Sequence, residues 1–119
     1  MPLRKKIPLQ VYDCEVEFEV SEQIIKRYDV LNKKYKLGEG YEALAGVFIK
    51  AGNMKKYHII VASDSLTHNT IAHEIYHGST QICADRAVEE EEARAWLTGY
   101  ITEEIYKFLE KKKQPIKHG

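Results

Sequence analysis

Two cysteines, three prolines and no net charge in 119 residues each remove a class of protein. Cys14 and Cys83 stand alone, neither in a C-x-x-C pair, which fits a reducing compartment and not a secreted disulfide scaffold. The 18 basic and 18 acidic residues cancel, so no global field points to nucleic acid or to a membrane surface. Long hydrophobic runs are absent, and nothing approaches a membrane span. Arg4, Lys5 and Lys6 precede an apolar stretch that Gln10 and Asp13 interrupt, too short for a signal peptide. The expected location is therefore the cytoplasm. No internal repeat, low-complexity tract or internal linker divides the chain. With 44% hydrophobic and 30% charged residues it reads as one globular domain over residues 1–119, able to bury a core without staples. Residues 1–8 and 113–119 are expected to be loose ends.

Periodicity supplies the elements. Val16, Phe18 and Val20 alternate with Glu15, Glu17 and Glu19, so the stretch from Leu9 to Val20 predicts a half-exposed strand. Ser21 offers a helix cap, and Ile24, Tyr28, Leu31 and Tyr35 keep helical spacing up to Gly38. Residues 43–50 and 56–62 are rich in Val, Ile, Phe and Tyr around the turn Ala51-Gly52-Asn53-Met54, which predicts a β-hairpin. Ser63, Asp64 and Ser65 supply a cap for a helix from Leu66 to Ile82. A last helix from Val88 to Lys112 carries an apolar stripe through Trp96, Leu97, Tyr100, Ile101, Ile105, Phe108 and Leu109. The expected fold is α+β: a small, mainly antiparallel sheet with helices packed on one side.

The chemistry concentrates in His73-Glu74-Ile75-Tyr76-His77. Two histidines four apart lie about 40° from each other on a helix, so both imidazoles can hold one metal ion. Neutral imidazole suits zinc, and a glutamate beside the first histidine can take a proton from a water that the metal has acidified. With His73 at 0°, Ile71, Ile75 and Ile82 fall at roughly 160–200°, so the helix has one face for a sheet and another for the histidines. Apart from Glu74, no charge occurs from Asn69 to Ala84, which suits a dry metal site. Glu89, Glu90, Glu91 and Glu92 open the last helix, where acidic residues also simply favour the macrodipole. If that helix returns antiparallel after a tight turn, Glu92 comes level with His77, and small Ala95 and Gly99 would allow close approach. Glu92 is the expected third ligand and Glu89 its substitute.

Thr70-Ile71-Ala72-His73-Glu74-Ile75-Tyr76-His77 with Glu91-Glu92-Ala93-Arg94-Ala95-Trp96-Leu97-Thr98-Gly99-Tyr100 resembles the small HExxH, gluzincin-type metallopeptidases of bacteriophages and prophages. A more distant resemblance is to the ImmA/IrrE peptidases. The likeness covers roughly residues 60–109. It implies a minimal zincin-like domain and a zinc hydrolase with His73, His77 and Glu92 as ligands, Glu74 as general base, and a peptide or protein substrate. The interval from His77 to Glu92 is shorter than in most gluzincins, and the chain has no second lobe to wall a cleft. Two other classes stay open. A non-catalytic, zinc-stabilised binding module needs the same histidines. Endoribonucleases of the YbeY type use H-x3-H-x5-H, a spacing that His73, His77 and Cys83 fit with a thiolate third. Around the motif, Tyr76 and Tyr100 could border the pocket, and Arg86 could polarise a developing oxyanion. His68 is expected to be a solvated helix-start residue and His58 a strand residue.

Overall fold

The computed structural model describes residues 3–118; Met1, Pro2 and Gly119 lie outside them. The architecture is α+β. A four-stranded sheet in the order β1-β2-β4-β3 is built from β1 (Leu3–Leu9), β2 (Cys14–Ser21), β3 (Gly46–Lys50) and β4 (Lys56–Ala62), with α1 (Ile24–Tyr35), α2 (His68–Asp85) and α3 (Glu91–Lys111) around it. The outer pairs β1–β2 and β3–β4 are antiparallel, while the central pair β2–β4 is parallel. Between these two strands the chain makes a crossover through α1. The expected hairpin is present as β3 and β4.

Alternation sorts the side chains. Ile7, Val16, Phe18, Ile59 and Val61 point to the face that α2 and α3 cover, joining Ile71, Ile75, Ile82, Ile101 and Ile105 in one core. Ile49, Ile60 and Ala62 point the other way and meet Ile24, Tyr28 and Leu31 of α1. The helices therefore pack on both faces of the sheet, not on one. That correction follows from β4, whose run Ile59-Ile60-Val61-Ala62 is buried on both sides, as a central strand beside a parallel neighbour must be.

Both chain ends depart from expectation. Residues 3–9 pair in register with β2, from Leu3 opposite Val20 to Leu9 opposite Cys14, because alternation of exposed basic side chains with Ile7 and Leu9 is itself a strand pattern. The expected strand from Leu9 to Val20 is broken by a 3-10 turn at Gln10–Tyr12, with Asp13 left-handed at φ 52°. At the other end, Lys117 N–H donates to the Leu66 carbonyl at 2.8 Å and Ile116 packs on the core, so the described part of the tail is docked. Helix boundaries shift likewise. Ser63–Ser65 form a 3-10 turn, and Thr67 caps α2 by accepting from the Thr70 N–H at 3.1 Å. No helix among the described residues is long and apolar enough to cross a membrane.

Candidate metal centre on the outer ridge of α2

The helical phase of α2 places every residue of the motif. Taking His73 as 0° and about 100° per residue, His77 falls near 40°, Thr70 and Glu74 at 60–100°, and Ile71, Ile75 and Ile82 at 160–200°. The aliphatic arc is buried against the sheet and both histidines are exposed. His73 Nε2 and His77 Nε2 nonetheless converge to 3.0 Å, with their rings edge-to-face. The contact is a direct imidazole–imidazole hydrogen bond, somewhat shorter than the roughly 3.3 Å that separates two nitrogens on tetrahedral zinc.

Glu74 behaves differently from its neighbours. Its residue is only 6% exposed, because its phase turns it from the ridge toward the start of β3. A Cβ on Gly46 would fall 3.0 Å from Glu74 Cγ and 3.1 Å from Oε2. Glycine lets that strand come this close to the carboxyl without pressing on it. Glu74 Oε2 lies 4.0 Å from His73 Nε2. Burial pushes its carboxyl above the usual range, with the neighbouring imidazoles pulling the other way. Ala45, Gly46, Asn69, Thr70, His73 and Glu74 line one shallow cleft of about 310 Å³. Ala45, Gly46, Asn69 and Thr70 escaped the sequence reading. Gly46 had a signal: a glycine leading directly into Val47-Phe48-Ile49 marks a place where something approaches the backbone closely.

Of the remaining expected site residues, all but Tyr76 are placed elsewhere. Thr98 Oγ1 donates to Ser79 Oγ at 2.8 Å, and His68 Nδ1 lies 2.8 Å from the Tyr106 hydroxyl. These contacts put α3 on the flank of α2 at about 220–240°, well away from the histidines. They also fix the register. Glu92 precedes Thr98 by six residues while His77 precedes Ser79 by two, in antiparallel helices, so the two are about 12 Å apart along the axis. Glu92 is thus not brought to the pair, and Glu89, earlier still and exposed, is not either. The expected turn was too tight: α2 continues to Asp85 and α3 starts only at Glu91. Cys83 is buried in the core at about 280°, which removes it as a third ligand.

Among the described residues, no group of three or more His, Cys, Asp or Glu side chains is placed to hold a metal ion. Arg86 is a clasp instead of an oxyanion partner: it donates to the carbonyls of Tyr12 at 2.7 Å and Met54 at 2.5 Å and to the Tyr57 hydroxyl at 3.3 Å. Tyr100 lies with Trp96 on the far side of α3. Tyr76 alone stays near, its ring 6.4 Å from that of His77. His68 stacks on Tyr106, and His58 is buried against the Tyr35 hydroxyl at 3.1 Å, where burial lowers its pKa to about 4.

Of the residue types zinc takes, the described residues bring together the two imidazoles, with the Glu74 carboxyl beside them and no third donor in place. No protein-family model, no curated protein and no solved structure matches this chain.

Proposed function

We propose that the protein is a zinc-dependent peptide hydrolase, with His73 and His77 as metal ligands and Glu74 as general base. One cluster carries the reading: two Nε2 atoms 3.0 Å apart beside a buried carboxyl whose Oε2 lies 4.0 Å from the nearer of them. Zinc held there would supply a Lewis acid that acidifies water and polarises a carbonyl. Glu74 would take the proton from the attacking water and return it to the departing amine. Burial of the Glu74 carboxyl raises its pKa, the direction that favours its taking a proton. The edge strand β3 can take an extended peptide by β-augmentation and run its carbonyls past Gly46 into the cleft. The proposed ligand set stops at the two histidines, because helix register carries Glu92 away from them.

The phage or prophage affiliation rests on the resemblance of residues 70–77 and 91–100 alone. A cytoplasmic location is supported by the two free cysteines. A second reading, a zinc-stabilised binding module, is favoured by the exposed Trp96 on α3. Zinc titration and peptide cleavage separate the two. The hydrolase requires that Glu74→Gln keep the zinc and lose cleavage, and that His73→Ala lose both. A biological effect unchanged in Glu74→Gln favours the binding module, and failure of the wild type to take up zinc sinks both.

A further inference from the structure

The outward side of α3 has features that neither the core nor the metal cleft uses. Trp96 is 77% exposed and Tyr100 45%, and across from them Val11, on the turn between β1 and β2, is 92% exposed. With Leu9, Tyr12 and Leu97 these residues line a groove of about 610 Å³. Large exposed apolar side chains gathered along one groove mark a binding surface more often than scattered ones do, and tryptophan is the side chain most enriched among residues that dominate interface energy.

Gly99 adds an independent observation. A glycine inside a helix costs about 1 kcal/mol against alanine, and a Cβ there would meet nothing within 4 Å. The chain's own packing gives no reason for it. With Ala95 one turn earlier, it leaves a low notch beside Trp96 in a surface that runs from Glu92 to Glu103. That span is about 16 Å, three helical turns. Charge then narrows the occupant. Glu92 and Glu103 border the notch and no lysine or arginine lines the groove. Glu103 is paired with Lys107 at 2.7 Å, whereas Glu89, Glu90, Glu91 and Glu92 have no ion-pair partner among the described residues. A second copy docking α3 on α3 would set Glu92 and Glu103 of both copies along one seam, which like charges oppose.

We propose that the outward surface of α3, where this groove and the notch meet at Trp96 and Tyr100, docks a helix of another protein, one with an apolar side chain over the Ala95–Gly99 notch and lysine or arginine facing Glu89–Glu92. This site shares no lining residue with the metal cleft.

Trp96 is the only tryptophan, so its fluorescence reports on the groove directly. The probe is a synthetic amphipathic helix of about eighteen residues, free of tryptophan, with central leucines and lysines toward one end. Expected is a saturable blue shift of Trp96 emission that a charge-reversed peptide does not produce. Labelled peptide should bind Gly99→Leu and Glu91→Lys/Glu92→Lys at least about tenfold more weakly, with zinc uptake unchanged in both. The Cβ of Gly99→Leu enters open space, and an unchanged urea unfolding midpoint checks that the variant keeps its fold. No shift at about 1 mM peptide, equal binding to Gly99→Leu, or Trp96 burial that grows with protein concentration alone would each overturn the proposal; the last identifies a second copy as the occupant.

Discussion

The helices α2 and α3 lie side by side on one sheet face, yet they use their surfaces in opposite ways. α2 is hemmed in by the sheet beneath it, by α3 on one flank and by the start of β3 on the other, leaving the ridge of His73 and His77 most open. α3 buries a single stripe through Leu97, Ile101, Ile105 and Leu109 and turns Glu92, Trp96, Gly99 and Glu103 outward. The motif on α2 depends on spacing within one helix, which covalent geometry sets. A ligand from α3 depends on register between two helices, which loop length and packing set. That difference explains why the histidines meet and Glu92 does not meet them.

The largest expected effect tests this contrast where it matters most. Glu74→Gln should lower peptide hydrolysis by about a hundredfold or more, the scale of a lost general base, with zinc stoichiometry unchanged by metal analysis. Glu92→Ala should leave both zinc content and rate as in the wild type. Loss of zinc in Glu92→Ala would mean that α3 slides past α2 to close the site and that Glu92 is a ligand after all.

Stability should divide the same two helices. Ile75 is buried between α2 and the sheet, so Ile75→Ala should cost about 2–5 kcal/mol in urea unfolding. Trp96→Ala, which removes the largest side chain of α3 from an exposed position, should stay within about 0.5 kcal/mol of wild type. A comparable loss from Trp96→Ala would show that the outer groove is closed in solution.

Sequence made much of this legible, for identifiable reasons. The hairpin, the amphipathic helices and the opposed faces of α2 follow from periods of two and of 3.6, which need no tertiary information. The strand at residues 3–9 was hidden because its lysines and arginine look like a loose basic end, although the alternation of Arg4, Lys6 and Pro8 with Ile7 and Leu9 was there to read. Helices on both sheet faces follow from β4 having a parallel neighbour, and strand order cannot be read from one strand's own residues. Arg86 looked like a catalytic cation from its place near the motif, while its three hydrogen bonds reach Tyr12, Met54 and Tyr57, 29 to 74 positions away in the chain. Long-range partners of that kind leave no local trace.

Gly46 sharpens the α2 side of the comparison. Gly46→Val puts branched carbon where Glu74 Cγ and Oε2 and Thr70 Cγ2 already lie, within 3.0–3.1 Å of the new Cβ. Overpacking of this kind costs about 1–3 kcal/mol. Because the displaced group is the proposed base, hydrolysis should fall further than stability alone accounts for, measured as kcat at a temperature where the variant stays folded. A variant that is destabilised but retains full kcat would show that the position of the carboxyl is not set by β3.

The smallest effect has the opposite sign and comes from the matching glycine on α3. Gly99 has ordinary helical surroundings, and its missing Cβ would touch nothing, so Gly99→Ala should stabilise the protein by about 0.5–1 kcal/mol through the lower entropy of the unfolded chain. The two glycines thus predict different signs from one substitution type, because at Gly46 the fold fills the vacant space and at Gly99 it does not. If Gly99→Ala is instead neutral or destabilising in dilute solution, some part of the chain covers the notch. If it stabilises the free protein and weakens binding of the basic helix, the glycine is kept for the partner, and α3 holds helical stability in reserve for docking as α2 holds its histidine ridge for metal.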